Sequence, residues 1–364
     1  FRFAPFWFIN HELTEEETRW QVREMYSQGV GGFIYHPRHG LITEYLSDEF
    51  MSNCAAAIDE AKKLGMKAYL YDENNWPSGP ADAKVFEGHP EFRMSGACVT
   101  ERFDLNPRVE PGREINTGEE LIAVIAVPLE DGKPAGFPES AIDLAEAVEH
   151  GRLQWVPDRD QGDWRVWVIT RSYVDHTFFG PYLDTLNPAA VRRFIELTHE
   201  KYAQWFADEF GATVNGIFTD EPNMNFNAGA CIPWTDALPG EFEWRRHYPL
   251  LTALPALFDD LGPETARVRC DFWDTATDCY VNAYFKQIYE WCDARRLNLI
   301  GHVNVEGEIV AQARQQGDFF RGAQYMHWGG CDYLRENTWP VGDTVYNVLA
   351  AGKFASSAAH LLGK

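Results

Sequence analysis

The chain has 364 residues, a formal net charge of -23, 45% hydrophobic residues and 14% aromatic residues. Such acidity repels phosphate backbones and anionic lipid, so neither nucleic acid nor a membrane surface is an expected partner. No apolar run of about 18 residues offers a membrane span, and the length suits one large α/β barrel or two ordinary domains.

The first residue is Phe1 rather than Met, so upstream sequence is expected to have been removed, and no leader is visible. Cys54, Cys98, Cys231, Cys270, Cys279, Cys292 and Cys331 are scattered and contain no C-x-x-C pair. They read as reduced core residues, which leans toward a cytoplasmic location.

Residues 3–10, FAPFWFIN, form a first strand; the helical stretch after them carries Thr14 as N-cap and Glu17 three positions on, a capping box. Residues 30–40 repeat the strand pattern. A helix over 47–65 follows, capped by Ser47 and stopped by Gly65. Residues 66–79, MKAYLYDENNWPSG, are a third strand running into a turn. Three strand–helix units in series predict a parallel sheet.

The alternation then lapses over residues 87–180, where ELIAVIAVPLE and DWRVWVITRSYV have strand character; this span reads as a β-rich insertion after strand three. It resumes with a long amphipathic helix over 187–211, started by Asn187 and Pro188. TVNGIFTDEP is strand four, and an irregular excursion over 223–265 leads to a second long helix. LNLIGHVNVEGE is strand five, GGCDYL over 329–334 a sixth strand, and residues 344–364 a sixth helix.

Six such units predict a (β/α)8 TIM-type barrel that stops before closure: units one to three in 1–86, the insertion in 87–180, and helix three to helix six in 181–364. The rival is an open doubly wound sheet. Against it, no G-x-G-x-x-G loop follows strand one.

In a barrel the residues that close each apolar run gather at one rim. Here they are Asn10; His36 and Arg38; Asp72 and Glu73; Asp220 and Glu221; then His302, Asn304 and Glu306. Singly, His36 suits a core histidine, and Asp72 with Glu73 suits a turn cap. Glu221 is harder to explain that way, because a carboxylate before Pro222 at the end of a buried strand is costly unless paired or used. Two strand-end carboxylates are what glycoside hydrolysis requires. Trp7, Trp76, Trp234 and Trp328 offer flat faces for a pyranose ring.

The segments PFWFINHELTEEETRWQVREMYSQGVGGFIYHPRHGL, LGMKAYLYDENNWPSG, YLDTLNPAAVRRFIELTHEKY, GIFTDEP and GHVNVEGE together resemble bacterial (β/α)8 glycoside hydrolases related to the α-L-rhamnosidases. The resemblance implies an exo-acting enzyme that removes a terminal sugar, with Glu221 as general acid. It also implies a seventh strand with a further Glu and additional C-terminal domains beyond Lys364. Glu306 is then the best second carboxylate within this chain, and His36, Arg38, Asp72, Glu73, Trp76, Asp220, His302 and Asn304 are binding residues. No cofactor is required. Calcium enters by the resemblance alone, since no Asp-rich loop of the EF-hand kind is present.

Two other functions compete with this one. The first is an inactive carbohydrate-binding barrel; the second is a metal-dependent hydrolase using His36, His39, His302 and an Asp, for which the spacing of a zinc site is lacking.

Overall fold

A computed structural model of the protein describes residues 2–176, 180–227, 229–332 and 344–364, with side chains of the last segment from 350 onward. The chain divides into two compact units. The first comprises Phe1–Arg93, Phe179–Met224 and Tyr280–Lys364, the second Met94–Phe178 and Asn225–Cys279.

The first unit is built on a parallel sheet whose strands lie in sequence order: β1 (Phe6–Ile9), β2 (Gly32–Pro37), β3 (Lys67–Tyr71), β4 (Val214–Asp220), β5 (Asn298–His302) and β6 (Trp328–Gly329). The order has no reversal of the kind that marks a doubly wound sheet. Phe6 of β1 meets Phe218 of β4 with ring centroids 4.9 Å apart, and Tyr69 of β3 meets Trp328 of β6 at 6.1 Å. Two strands lie between the members of each pair, a spacing of about 14 Å in a flat sheet. The sheet curls toward the face that bears these rings.

Local chemistry sets the helices. In α1 (Glu15–Ser27) the Thr14 hydroxyl accepts from the Glu17 N–H at 3.3 Å, and in α2 (Asp48–Leu64) Ser47 accepts from Phe50 at 3.1 Å. Gly65 closes α2 in the left-handed region, φ 69°. Phe50, Cys54, Ala57, Ile58 and Ala61 form its buried stripe. Asn187 caps α3 (Pro188–Leu197) through the N–H groups of Ala189 and Ala190.

The predicted 187–211 helix is in fact two, because Thr198 departs from helical geometry between α3 and α4 (His199–Phe206); its hydroxyl donates back to the Phe194 carbonyl at 2.9 Å. The second long helix is also broken. Thr265–Tyr280 is α-helical, Val281–Lys286 is a π segment, and the α-helix resumes over Gln287–Asp293. The sixth strand is confined to Trp328–Gly329, and residues 333–334 of its predicted span lie outside the described residues.

The second unit carries an antiparallel sheet in the order Cys231–Trp234, Ser95–Leu105, Trp164–Tyr173, Glu120–Glu130, Lys133–Pro134. Val124, Ala126, Val166, Val168 and Leu153 form its apolar core. It begins at Met94 rather than 87, and it recruits residues 225–279, which take in most of the 223–265 excursion and the first part of the long helix after it.

One expectation is overturned in this unit. Cys98 and Cys231, register partners on adjacent strands with Cα atoms 4.5 Å apart, form a disulfide. Cys54 and Cys292 are buried thiols, but Cys270 is exposed and Cys279 and Cys331 are half-buried. Pairing across 133 residues of sequence arises only once the 225–234 segment docks on the sheet.

Candidate active site

The carboxyl ends of β2 to β5 bring His36, Tyr71, Asp220 and His302 together. Asp220 and His302 are register partners on β4 and β5. That close pairing depends on Gly301, φ 142°, where a Cβ would collide with the Thr219 carbonyl.

Asp220, 6% exposed, has one oxygen 3.0 Å from His302 Nε2, while the other accepts from the Tyr71 hydroxyl at 2.5 Å and lies 3.9 Å from His36 Nε2. His302 Nδ1 is 3.1 Å from Glu306 Oε1, which also accepts from the Asp332 N–H at 3.1 Å. A buried imidazole thus bridges two buried carboxylates. Burial alone would lower the His302 pKa; hydrogen bonds and charge from Asp220 and Glu306 outweigh it and raise it well above 6.5. Burial likewise opposes ionisation of Asp220, yet His302 and Tyr71 hold its carboxyl below the usual range. His36 behaves in the opposite way. Burial lowers it to about 4, so it is neutral, and its ring stacks on Tyr71 with centroids 3.6 Å apart.

Glu221 follows directly and is half-buried, with φ 48°, a left-handed conformation that non-glycine residues rarely adopt. The strain is held by buried hydroxyls and amides around the next two residues. Tyr280 Oη and Gln316 Nε2 donate to the Pro222 carbonyl at 2.9 and 2.8 Å, Thr185 donates to the Asn223 carbonyl at 2.9 Å, and Tyr182 Oη accepts from the Asn223 N–H at 3.3 Å. Burial and then the charge of Asp220 push the Glu221 carboxyl up to about 7, with Glu306 and Asp332 adding to it and His302 opposing.

Asp72 and Glu73, expected among the binding groups, lie beneath the rim instead, 0% and 2% exposed. Glu73 accepts from the N–H groups of Asn74, Gly79, Ala81 and Asp82 at 2.6–3.1 Å and so shapes its own loop. Burial pushes its carboxyl up to about 7 against the pull of those four donors. Asp72 Oδ1 accepts from Ser78 Oγ at 2.5 Å, and Ser78 Oγ in turn accepts from the Asp220 N–H at 2.8 Å. Burial raises the Asp72 carboxyl well above its ordinary value. Both acids therefore brace the loop that carries Trp76.

Arg38 is half-buried with its guanidinium carbon 3.9 Å from the centre of the Trp76 ring, and Asn304 is half-buried in the loop after β5. His39 is exposed. Trp7 faces Phe33 and Tyr35, away from this cluster; Trp234 belongs to the second unit, and Trp328 is exposed on β6.

Sequence reasoning missed Tyr71, Ser78, Tyr280 and Gln316. Tyr71 was signalled by its position beside Asp72 at the end of β3, whereas the others act through loop and helix paths that no spacing announces.

Among the described residues, Asp220, Glu221 and His302 alone place potential ligand atoms within 4.8 Å of one another. Calcium takes oxygen ligands. Here one donor is an imidazole whose two nitrogens are both engaged by carboxylates, so the set does not fit calcium.

No protein-family profile matches the chain. A Formosa agariphila protein named "Putative beta-glucuronidase" is 23% identical over 381 residues, covering 88% of this chain and 29% of that protein. The structure of a rhamnosidase from Novosphingobium sp. PP1Y matches 99% of this chain and 51% of its own with a TM-score of 0.68, at 14% sequence identity. The chain thus spans about half or less of each relative. Both relatives bear glycosidase names, one a glucuronidase and the other a rhamnosidase.

Proposed function

We propose that this chain carries the catalytic face of a glycoside hydrolase acting on a terminal sugar of a glycan, on strands that form part of a (β/α)8 barrel. The sequential strand order and the curl of the sheet support the barrel.

The observation that carries the function is Glu221. It is a strained, half-buried carboxyl with a pKa near 7, set beside a carboxylate that His302 keeps ionised. A group protonated at neutral pH at such a rim suits donation to the departing glycosidic oxygen. Glu306 is the second carboxylate. Its Oε1 is held by His302 and the Asp332 N–H, which among the described residues leaves Oε2 for water or the anomeric carbon. Asp220, His302 and His36 fix the charge pattern and supply the polar floor for the sugar.

The test is leaving-group dependence over a panel of aryl glycosides. Glu221→Gln should lower kcat on poor leaving groups by about 10²–10⁴-fold and hardly affect nitrophenolate departure. An equal loss on both, or no loss, would remove Glu221 from the acid role.

A further inference from the structure

Arg38 stands out at this rim because no acid answers it. The chain has 55 Asp and Glu against 32 Lys and Arg, so a basic side chain here normally finds a carboxylate. Among the described residues Arg38 makes no ion pair and no side-chain hydrogen bond. Its guanidinium lies instead against two rings, 3.9 Å from the centre of Trp76 and 5.0 Å from that of Phe8.

Rings against a guanidinium satisfy its flat faces and fix its plane, leaving the in-plane N–H fork for a planar anion. No Arg38 nitrogen is among the buried polar atoms that lack a partner, so the fork is open to solvent. Three acids at the strand ends are committed elsewhere: Glu73 to four backbone N–H groups, Asp220 to His302 and Tyr71, and Glu306 to His302. Arg38 also sits two residues after His36, whose imidazole reaches within 3.9 Å of Asp220. The unanswered cation therefore belongs to the same rim as the candidate chemistry.

We infer that Arg38 binds the carboxylate of an acidic sugar, so that the substrate class is a uronoside rather than a neutral glycoside. This rests on the reading of the site as a glycosidase, and it adds the recognition element. Two parallel N–H···O bonds match a carboxylate in geometry as well as charge.

The experiment has two arms. In the first, kcat/KM is measured for aryl glucuronides and galacturonides of both anomers, for the matching glucosides and galactosides, and for a galactoside 6-sulfate. The wild-type ratio of uronide to neutral sugar should exceed unity, and Arg38→Met should cut that ratio by about tenfold or more, with Arg38→Lys retaining part of it. An unchanged ratio, or a preference for the neutral or sulfated sugar, overturns the inference.

The second arm needs no turnover. It measures calorimetric binding of free D-glucuronate and D-galacturonate against D-glucose and D-galactose. Arg38-dependent binding of a uronate without hydrolysis of any glycoside would sustain this inference while defeating the hydrolase reading. Hydrolysis of neutral glycosides with equal binding of acids and neutral sugars would do the reverse.

Discussion

At the scale of single residues, the site pairs two acids with opposite fates at adjacent positions. Asp220 is kept ionised by His302 and Tyr71, and Glu221 is pushed toward neutrality by burial and by Asp220 itself. The second effect carries a stability consequence. From an ordinary value of 4.5 to about 7, the folded state binds the proton more tightly than the unfolded chain, so stability falls as pH rises through that window. Replacing Glu221 by Gln should leave stability unchanged near pH 4.5 and raise it at pH 8 by about 1–3 kcal/mol, allowing for partial solvent screening. Denaturant unfolding at the two pH values checks this; a variant less stable than wild type at pH 8 would show that Glu221 is a paired structural acid. Gain of stability on losing a functional acid is what a site built against its own stability produces. His302 has the same sign in a higher window: its raised pKa contributes stability in full below about 6.5, lost as pH rises through the folded value.

At the scale of elements, the close approach of β4 and β5 rests on Gly301. Gly301→Ala adds a Cβ against the Thr219 carbonyl at positive φ and should destabilise by about 2–4 kcal/mol, seen as a lowered unfolding midpoint with loss of activity. A silent variant would mean that the strand ends have room to separate.

The elements also show what was legible in the amino-acid order. Caps at Thr14, Ser47 and Asn187 and the stop at Gly65 were readable because each depends on bonds within four residues. So were the positions of Asp220, Glu221 and His302 at the ends of apolar runs. The burial of Glu73 was not, since its four donors come from a loop whose path is set by the acid it encloses. Nor was the Cys98–Cys231 bond, which joins segments 133 residues apart. Nor was the π segment Val281–Lys286 within the second long helix, which from sequence reads as one continuous helix.

At the scale of the whole molecule, an acidic chain presents one sheet whose strand ends gather carboxylates, imidazoles and a guanidinium that has no ion-pair partner among the described residues. The net charge of -23 disfavours anionic partners in general, so the proposed uronoside specificity rests on the local cation at Arg38. No helix among the described residues is long and apolar enough to cross a membrane. The account as a whole stands on Glu221 as proton donor, and the pH dependence of kcat/KM on an aryl glycoside with a poor leaving group tests that most directly. Wild type should lose activity as pH rises through about 7, where the Glu221 proton is released, and Glu221→Gln should show low activity without that alkaline limb. An alkaline limb that persists in Glu221→Gln, or turnover that the substitution leaves intact, would contradict the account.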